Sequence, residues 1–235
     1  VLVHALHHAR ERQAFGRRLS EQPLMQNLLA DLCLESESAL VLALRLARSY
    51  DGRQAGDAQE SLLARILTPA AKYWICKRLP AMCAEAMEVM GGNGYVEEGP
   101  FARFYREAPL NSIWEGSGNL MCLDLLRVIA RSPGAVDALS AELGSVRGAN
   151  SSLDRHVQAL QDGLRRGRYG EGEARQLAER VAMLVAAGQL VAIAPAAVSD
   201  AYCAARLDAV HGGHCYGTLP AGVDRELLLA RALPQ

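Results

Sequence analysis

The sequence predicts an all-α protein: an antiparallel four-helix bundle with a helical C-terminal extension. Three observations predict it. Apolar residues recur at helical spacing through long stretches. Strand signals are nearly absent, with aromatics at 5% of the chain and no Asn-Gly pair between alternating segments. The periodic stretches are joined by short connectors marked by Gly or Pro, the usual link between antiparallel neighbours.

Each element follows from its own signals. Val1–Arg12 reads as the interior of an amphipathic helix with no cap before it, so we expect the chain to start inside a larger protein. This first helix should run to about Phe15 and end at Gly16. The next starts between Ser20 and Pro23, keeps Leu24, Leu28, Leu32, Ala39, Ala43 and Ala47 near one face, and stops near Asp51-Gly52. A third spans about Ala58 to Met90. Pro69 and Pro80 fall inside it and are candidates for a break or kink, because each removes a donor and crowds the preceding turn. Gly91-Gly92-Asn93-Gly94 ends it, and Tyr95 to Trp114 looks irregular.

A fourth helix begins around Gly116 to Asn119 and runs to about Arg131. Ser132-Pro133-Gly134 is the expected boundary between a bundle of residues 1–131 and an extension of residues 132–235. In the extension we expect helices at Ala135–Val146, Ser151–Arg165, Glu173–Leu207 with an interruption near Pro195, and Arg225–Ala232.

Composition narrows the function classes. The formal net charge of -1 asks for no polyanionic partner, and Lys72 and Lys77 are the only lysines among 25 Lys plus Arg. No membrane span is expected, since the richest apolar run, Val181 to Val198, is interrupted by Gly188, Gln189 and Pro195. Cys33, Cys76, Cys83, Cys122, Cys203 and Cys215 form no CxxC pair, so we expect buried thiols in a reducing compartment, the cytoplasm. His211-Gly212-Gly213-His214-Cys215 offers too few ligands for a metal, and none is expected.

Three segments could carry chemistry. Arg10 to Leu19 places arginines around Phe15 and Gly16; the cations either complement a helix C-terminus or grip a pyrophosphate beside an aromatic stacking face. Glu88 to Tyr95 carries glycines that supply positive φ or let a ligand approach the backbone. Ser112 to Asn119 sets Glu115 between an aromatic and a glycine at a helix entrance. It is either a dipole-complementing acid with Ser117 as cap, or a base in a half-apolar pocket.

In this order and spacing, Arg12 to Gly16 (RxxFG), Gly91 to Tyr95 (GGNGY) and Trp114 to Ser117 (WEGS) resemble the acyl-CoA dehydrogenase superfamily. Arg103 to Glu107 resembles its Arg-rich approach to the catalytic segment. Glu85 to Glu88, Trp114 to Asp124, and Tyr216 to Pro220 with Gly222 and Asp224 are similar to the adaptive-response, AidB-like branch. The resemblance implies the C-terminal bundle of a flavoprotein whose N-terminal helical and middle β domains are not in this chain.

It further implies FAD, with Glu115 as the base that takes the α-proton of an acyl-CoA thioester and Gly116 against the acyl chain. Ser117, Gly118 and Asn119 would touch FAD; Arg12, Phe15 and the backbone of Glu88, Gly91 and Gly92 would touch it across a subunit interface of a homodimer or homotetramer. Glu88 stands where the family often has Gln, Ala14 where it has a hydroxyl residue, and Asn119 where Gln is usual.

Two alternatives stay open. The AidB-like branch is associated with the DNA alkylation response, duplex DNA and weak dehydrogenase activity, and Arg165, Arg166 and Arg168 form a small basic loop. Against it, residues beyond Arg131 hold ten Arg and eleven Asp plus Glu. The other alternative is a helical oligomerisation module with a vestigial flavin site.

Overall fold

The computed structural model describes residues 1–208 and 215–232. It is all-α in architecture, as the periodicity predicts. α1 (Leu2–Glu11) leads through a small hairpin, β1 (Gln13–Ala14) and β2 (Arg17–Arg18), and a 3₁₀ turn at Leu19–Glu21 into α2 (Pro23–Gln54). α3 (Ala58–Val89), α4 (Gly92–Tyr95), α5 (Phe101–Glu107), a 3₁₀ turn at Ala108–Ser112 and α6 (Gly118–Arg131) follow. α7 (Ala135–Gly144), α8 (Ser151–Arg165), α9 (Ala174–Ile193), α10 (Ala196–Tyr202), a π turn at Cys203–Leu207 and α11 (Arg225–Ala232) complete it.

Two partly buried ion pairs show the antiparallel register of the long helices. Arg45 on α2 meets Glu60 near the start of α3, and Glu35 on α2 meets Arg78 further along α3. The start of α2 therefore lies level with the end of α3. Arg45 satisfies all its donors: Ser49 Oγ, both oxygens of Glu60 and both of Glu142 on α7. That fork ties α7, beyond the expected boundary, to α2 and α3.

Both sides of Ser132-Pro133-Gly134 contribute to one apolar core. α3 packs on α2, α6 and α9, and α9 also packs on α2 and α6, while the shorter α1 lies against α2 and α3. α9 lies in the segment Glu171–Ile193, which is long and apolar enough by length and composition to cross a membrane, with a mean hydropathy of 1.3. Here Leu177, Val181, Leu184, Val185 and Leu190 are buried, and α9 packs against α2, α3 and α6.

Several expectations are corrected. The first helix stops at Glu11, not Phe15. Phe15 and Gly16, at φ 55° and 81°, form the tip of a two-residue hairpin, whose turn needs positive φ at both positions. α2 runs past Asp51-Gly52 to Gln54, where Gly56 supplies the positive φ. α3 continues through Pro69 and Pro80, held by packing on three helices; Thr68 Oγ1 donates to the Ala64 carbonyl beside the first proline. The stretch from Tyr95 to Trp114 is mostly helical, with Phe101 buried and edge-on to Phe104. Cys33, Cys83, Cys122 and Cys203 are buried as expected, but Cys76 is half-buried and Cys215 exposed.

The extension is strapped to α2. Asn27 and Leu219 exchange two hydrogen bonds, at 3.0 and 3.3 Å, and the Gly217 N–H donates to Asp31 Oδ2 at 2.8 Å. Tyr216 lies under the guanidinium of Arg78, 4.6 Å from ring centroid to carbon.

Candidate active site

Glu115 sits in the turn between the 3₁₀ segment Ala108–Ser112 and α6. Its φ of 54° is left-handed, and Gly116 follows at 107°. A left-handed non-glycine residue costs about 1–3 kcal/mol, so surrounding contacts must hold it. Lys72 on α3 supplies them. Its ammonium donates to the Trp114 carbonyl at 2.6 Å and to the Gly116 carbonyl, one on each side of Glu115. A Cβ on Gly116 would meet Met121 Cε, so glycine answers both the backbone angle and the packing.

The structure does not place Glu115 in a pocket. Its side chain is exposed, and its chain neighbours Ile113 and Trp114 are 62% and 56% exposed. Two exposed apolar residues thus precede an exposed carboxylate in this turn. Ser117 holds the N-cap position of α6 with extended backbone, but its hydroxyl makes no capping bond, contrary to the expected cap. Gly118 is buried beneath Lys77 and Tyr73; an added Cβ would come within 2.8 Å of Lys77 Cε. Asn119 is exposed, and its Oδ1 accepts from Arg175 Nε on α9 at 2.9 Å.

The second group of residues lies at the other end of α3. Glu88 is 16 residues beyond Lys72, about 24 Å along the helix at 1.5 Å per residue. Arg12 and Phe15 fall at that same end. Gln22, the N-cap residue of α2, donates to the Ala14 carbonyl at 3.1 Å, and the start of α2 is level with the end of α3. Arg12 is exposed, and Phe15 is 97% exposed at the hairpin tip.

The glycines of this end have different reasons. Gly91 has φ 60°, and a Cβ on Gly94 would stand 2.2 Å from the Met87 carbonyl oxygen. Gly92 has neither constraint, leaving open backbone at the helix end. Glu88 is exposed and lies near Glu85, whose carboxyl is raised by burial and then by the Glu88 charge. A second anion beside Glu88 would be repelled by its side chain, so only backbone contact suits it there.

The structure thus forms two patches, one of Glu115 to Asn119 and one of Arg12, Phe15, Glu88, Gly91 and Gly92. Sequence reasoning missed Lys72, Lys77, Tyr73 and Arg175. The scarcity of lysine was the one available signal for the first two; nothing in the local sequence links Arg175 to Asn119. A cavity of about 620 Å³ lies elsewhere, between α1, α2, α3 and α11, and none of the sequence-selected residues lines it. Among the described residues no three His, Cys, Asp or Glu side chains converge as metal ligands; His211 to His214 lie outside the described residues. Arg165 pairs with Asp162, while Arg166 and Arg168 are exposed.

The family profile described as acyl-CoA dehydrogenase, C-terminal domain, matches residues 1–130. The chain belongs to the acyl-CoA dehydrogenase family. It is 45% identical over 204 residues to the acyl-CoA dehydrogenase relative AidB of Escherichia coli (strain K12), covering 87% of this chain and 37% of that protein. Its fold matches Caenorhabditis elegans ACDH-11 in complex with C11-CoA, at TM-score 0.74 and 24% identity over 85% of this chain and 39% of that one. It also matches an acyl-CoA dehydrogenase of Bacillus anthracis complexed with FAD, at TM-score 0.70 and 18% identity, over 86% and 43% of the two chains. The chain thus spans less than half the length of these relatives. FAD is the cofactor of the acyl-CoA dehydrogenase family. The open Gly92 backbone, the uncapped start of α6 and the arginines around Phe15 are donors of the kind that a flavin dinucleotide's diphosphate and ring require.

Proposed function

We propose that this chain is the C-terminal part of an FAD-dependent acyl-CoA dehydrogenase-type flavoprotein, with Glu115 as its general base. The observation that carries the reading is the Trp114-Glu115-Gly116 turn, in which an exposed carboxylate-bearing residue is held at positive φ just before α6, after exposed Ile113 and Trp114. Glu115 would take the α-proton of an acyl-CoA thioester onto a carboxylate oxygen. Bound FAD supplies the acceptor for the β-hydride.

Within this reading Gly116 lies against the acyl chain. Ser117, Gly118 and Asn119 hold the flavin end of FAD, and Arg175 fixes Asn119 from the extension. The distant patch, Arg12 and Phe15 with the backbone of Glu88 to Gly92, serves the diphosphate and adenine of a FAD bound mainly by a second copy. The placing of the patches toward opposite ends of α3, where Lys72 and Glu88 are about 24 Å apart along the helix, and the exposed Phe15 favour such a homodimer or homotetramer. Exclusion of water around Glu115 then falls to elements beyond the described residues, which a base working on a weak carbon acid needs.

The test is flavin content and reducibility of the complete protein. We expect it to purify with FAD and to bleach on anaerobic mixing with straight or branched acyl-CoA. A protein that retains no FAD would overturn the reading and leave the oligomerisation module. Duplex DNA is the second reading, resting on exposed Arg166 and Arg168; it requires binding that weakens steeply with salt.

A further inference from the structure

We propose that Lys72 is the positioning residue of the Glu115 turn, its ammonium fixing the two peptide carbonyls that flank the carboxylate. The inference rests on the reading of Glu115 as base and adds a residue that no motif contains.

Three observations carry it. Lys72 Nζ donates to the carbonyl oxygens of both Trp114 and Gly116, residues that lie 42 and 44 positions further along the chain. Glu115, between them, is at φ 54°, a left-handed conformation that a non-glycine residue avoids without outside support, while Gly116 takes its 107° freely. Among the described residues no carboxylate is in ion-pair reach of Lys72. An ammonium has three donors and no acceptor, so two carbonyls are what orders this one.

The arrangement has a mechanical consequence. α3 is the central helix, packed on α2, α6 and α9, so Lys72 is anchored in the rigid part of the molecule. The turn itself is exposed and has few backbone bonds of its own: Ile113 and Trp114 donate to the Leu110 carbonyl, and Met121 to the Ser117 carbonyl. Without the ammonium, the peptides on either side of Glu115 lose their tie to α3. The carboxylate would then sample orientations away from the α-carbon of a bound thioester. Misplacement of a reacting group by about 1 Å costs on the order of 10²-fold in rate.

The experiment compares wild type, Lys72→Met, Lys72→Arg and Arg65→Met, the last removing an α3 surface cation paired to Asp124. The first readout is ¹⁵N relaxation of the 235-residue chain. Backbone order parameters at Glu115 and Gly116 should fall from about 0.85 to below about 0.6 in Lys72→Met. Lys72→Arg should restore them in part, and Arg65→Met should leave them unchanged. Should Lys72→Met fail to fold, Lys72→Gln is read the same way. The second readout is flavin reduction in the complete protein, expected to slow by about 10²-fold at saturating acyl-CoA with little change in half-saturation. Unchanged order parameters in Lys72→Met overturn the proposal while leaving Glu115 as base. Full activity in Glu115→Gln overturns the base and not the tether.

Discussion

Arg206 donates to Asp31 across 175 residues of sequence, and the same guanidinium reaches Glu35 Oε2 at 3.1 Å. All three side chains are at most 6% exposed. Arg78 adds a second guanidinium on Glu35, both oxygens accepting at 3.0 Å. Two buried carboxylates thus meet two guanidinium groups where the extension crosses the bundle, and this cluster ties the extension to α2 and α3.

Removing one partner from such a cluster leaves charge buried and unpaired. Arg206→Met should destabilise the chain by about 3–5 kcal/mol. Urea unfolding checks this as a lower midpoint with a similar slope. A shift below about 1 kcal/mol would show that the extension is held by apolar contact alone.

The two glycines of the Gly92-Asn93-Gly94 segment separate structure from ligand approach. Gly94→Ala should cost about 1–3 kcal/mol, since its Cβ would meet backbone that cannot step aside. Gly92→Ala should change stability by no more than about 0.5–1 kcal/mol, because nothing stands within 4 Å. If Gly92 leaves its backbone open for a diphosphate, the same substitution weakens FAD retention in the complete protein. Equal thermal shifts for the two variants would contradict the steric assignment.

Thiol chemistry should follow burial. Cys215 is exposed and should be the first to react with a water-soluble disulfide reagent at pH 8. The Cys33 thiol is pushed up to about 12 by burial and by Glu37, and Cys203 to about 12 by burial and then Asp200 and Asp208. Both should label only as the chain unfolds. The sign for stability follows: the unfolded thiols ionise near their ordinary 9.0 while the folded ones keep their protons. Stability contributed by these groups is complete below pH 9 and declines from there toward pH 12. Cys33 modified as fast as Cys215 in the folded chain would contradict the burial.

Much of the fold is legible in the sequence where one force dominates. α3 is readable over Ala58 to Met90 because its apolar surface outweighs two prolines, whose cost packing on α2, α6 and α9 absorbs. The Phe15 hairpin is not readable by periodicity, because the helical pattern runs straight into it and only two left-handed residues mark the reversal. The same holds for α5: Phe101 and Phe104 pack against each other and His4, a tertiary contact that no local window contains.

At the site, the motifs expose Glu115, Gly116 and the two glycine-bearing ends, since these are contiguous in sequence. They cannot expose the partners that arrive from elsewhere. Lys72 reaches Trp114 and Gly116 from α3, and Arg175 reaches Asn119 from α9. Nor does the sequence reveal that Glu115 stands open. A pocket wall is a property of what packs opposite, and Glu115 is exposed.

We propose Glu115 as the base of an acyl-CoA dehydrogenase-type site. The direct measurement is anaerobic stopped-flow of the complete, FAD-loaded protein with a panel of straight and branched acyl-CoAs, wild type against Glu115→Gln. We expect flavin bleaching by at least one acyl-CoA in the wild type and loss of at least about 10²-fold of that rate in Glu115→Gln, within the range general-base removal costs, with FAD retained. Bleaching at the same rate in both proteins, or no bleaching by any acyl-CoA from a wild type that still holds FAD, would contradict it.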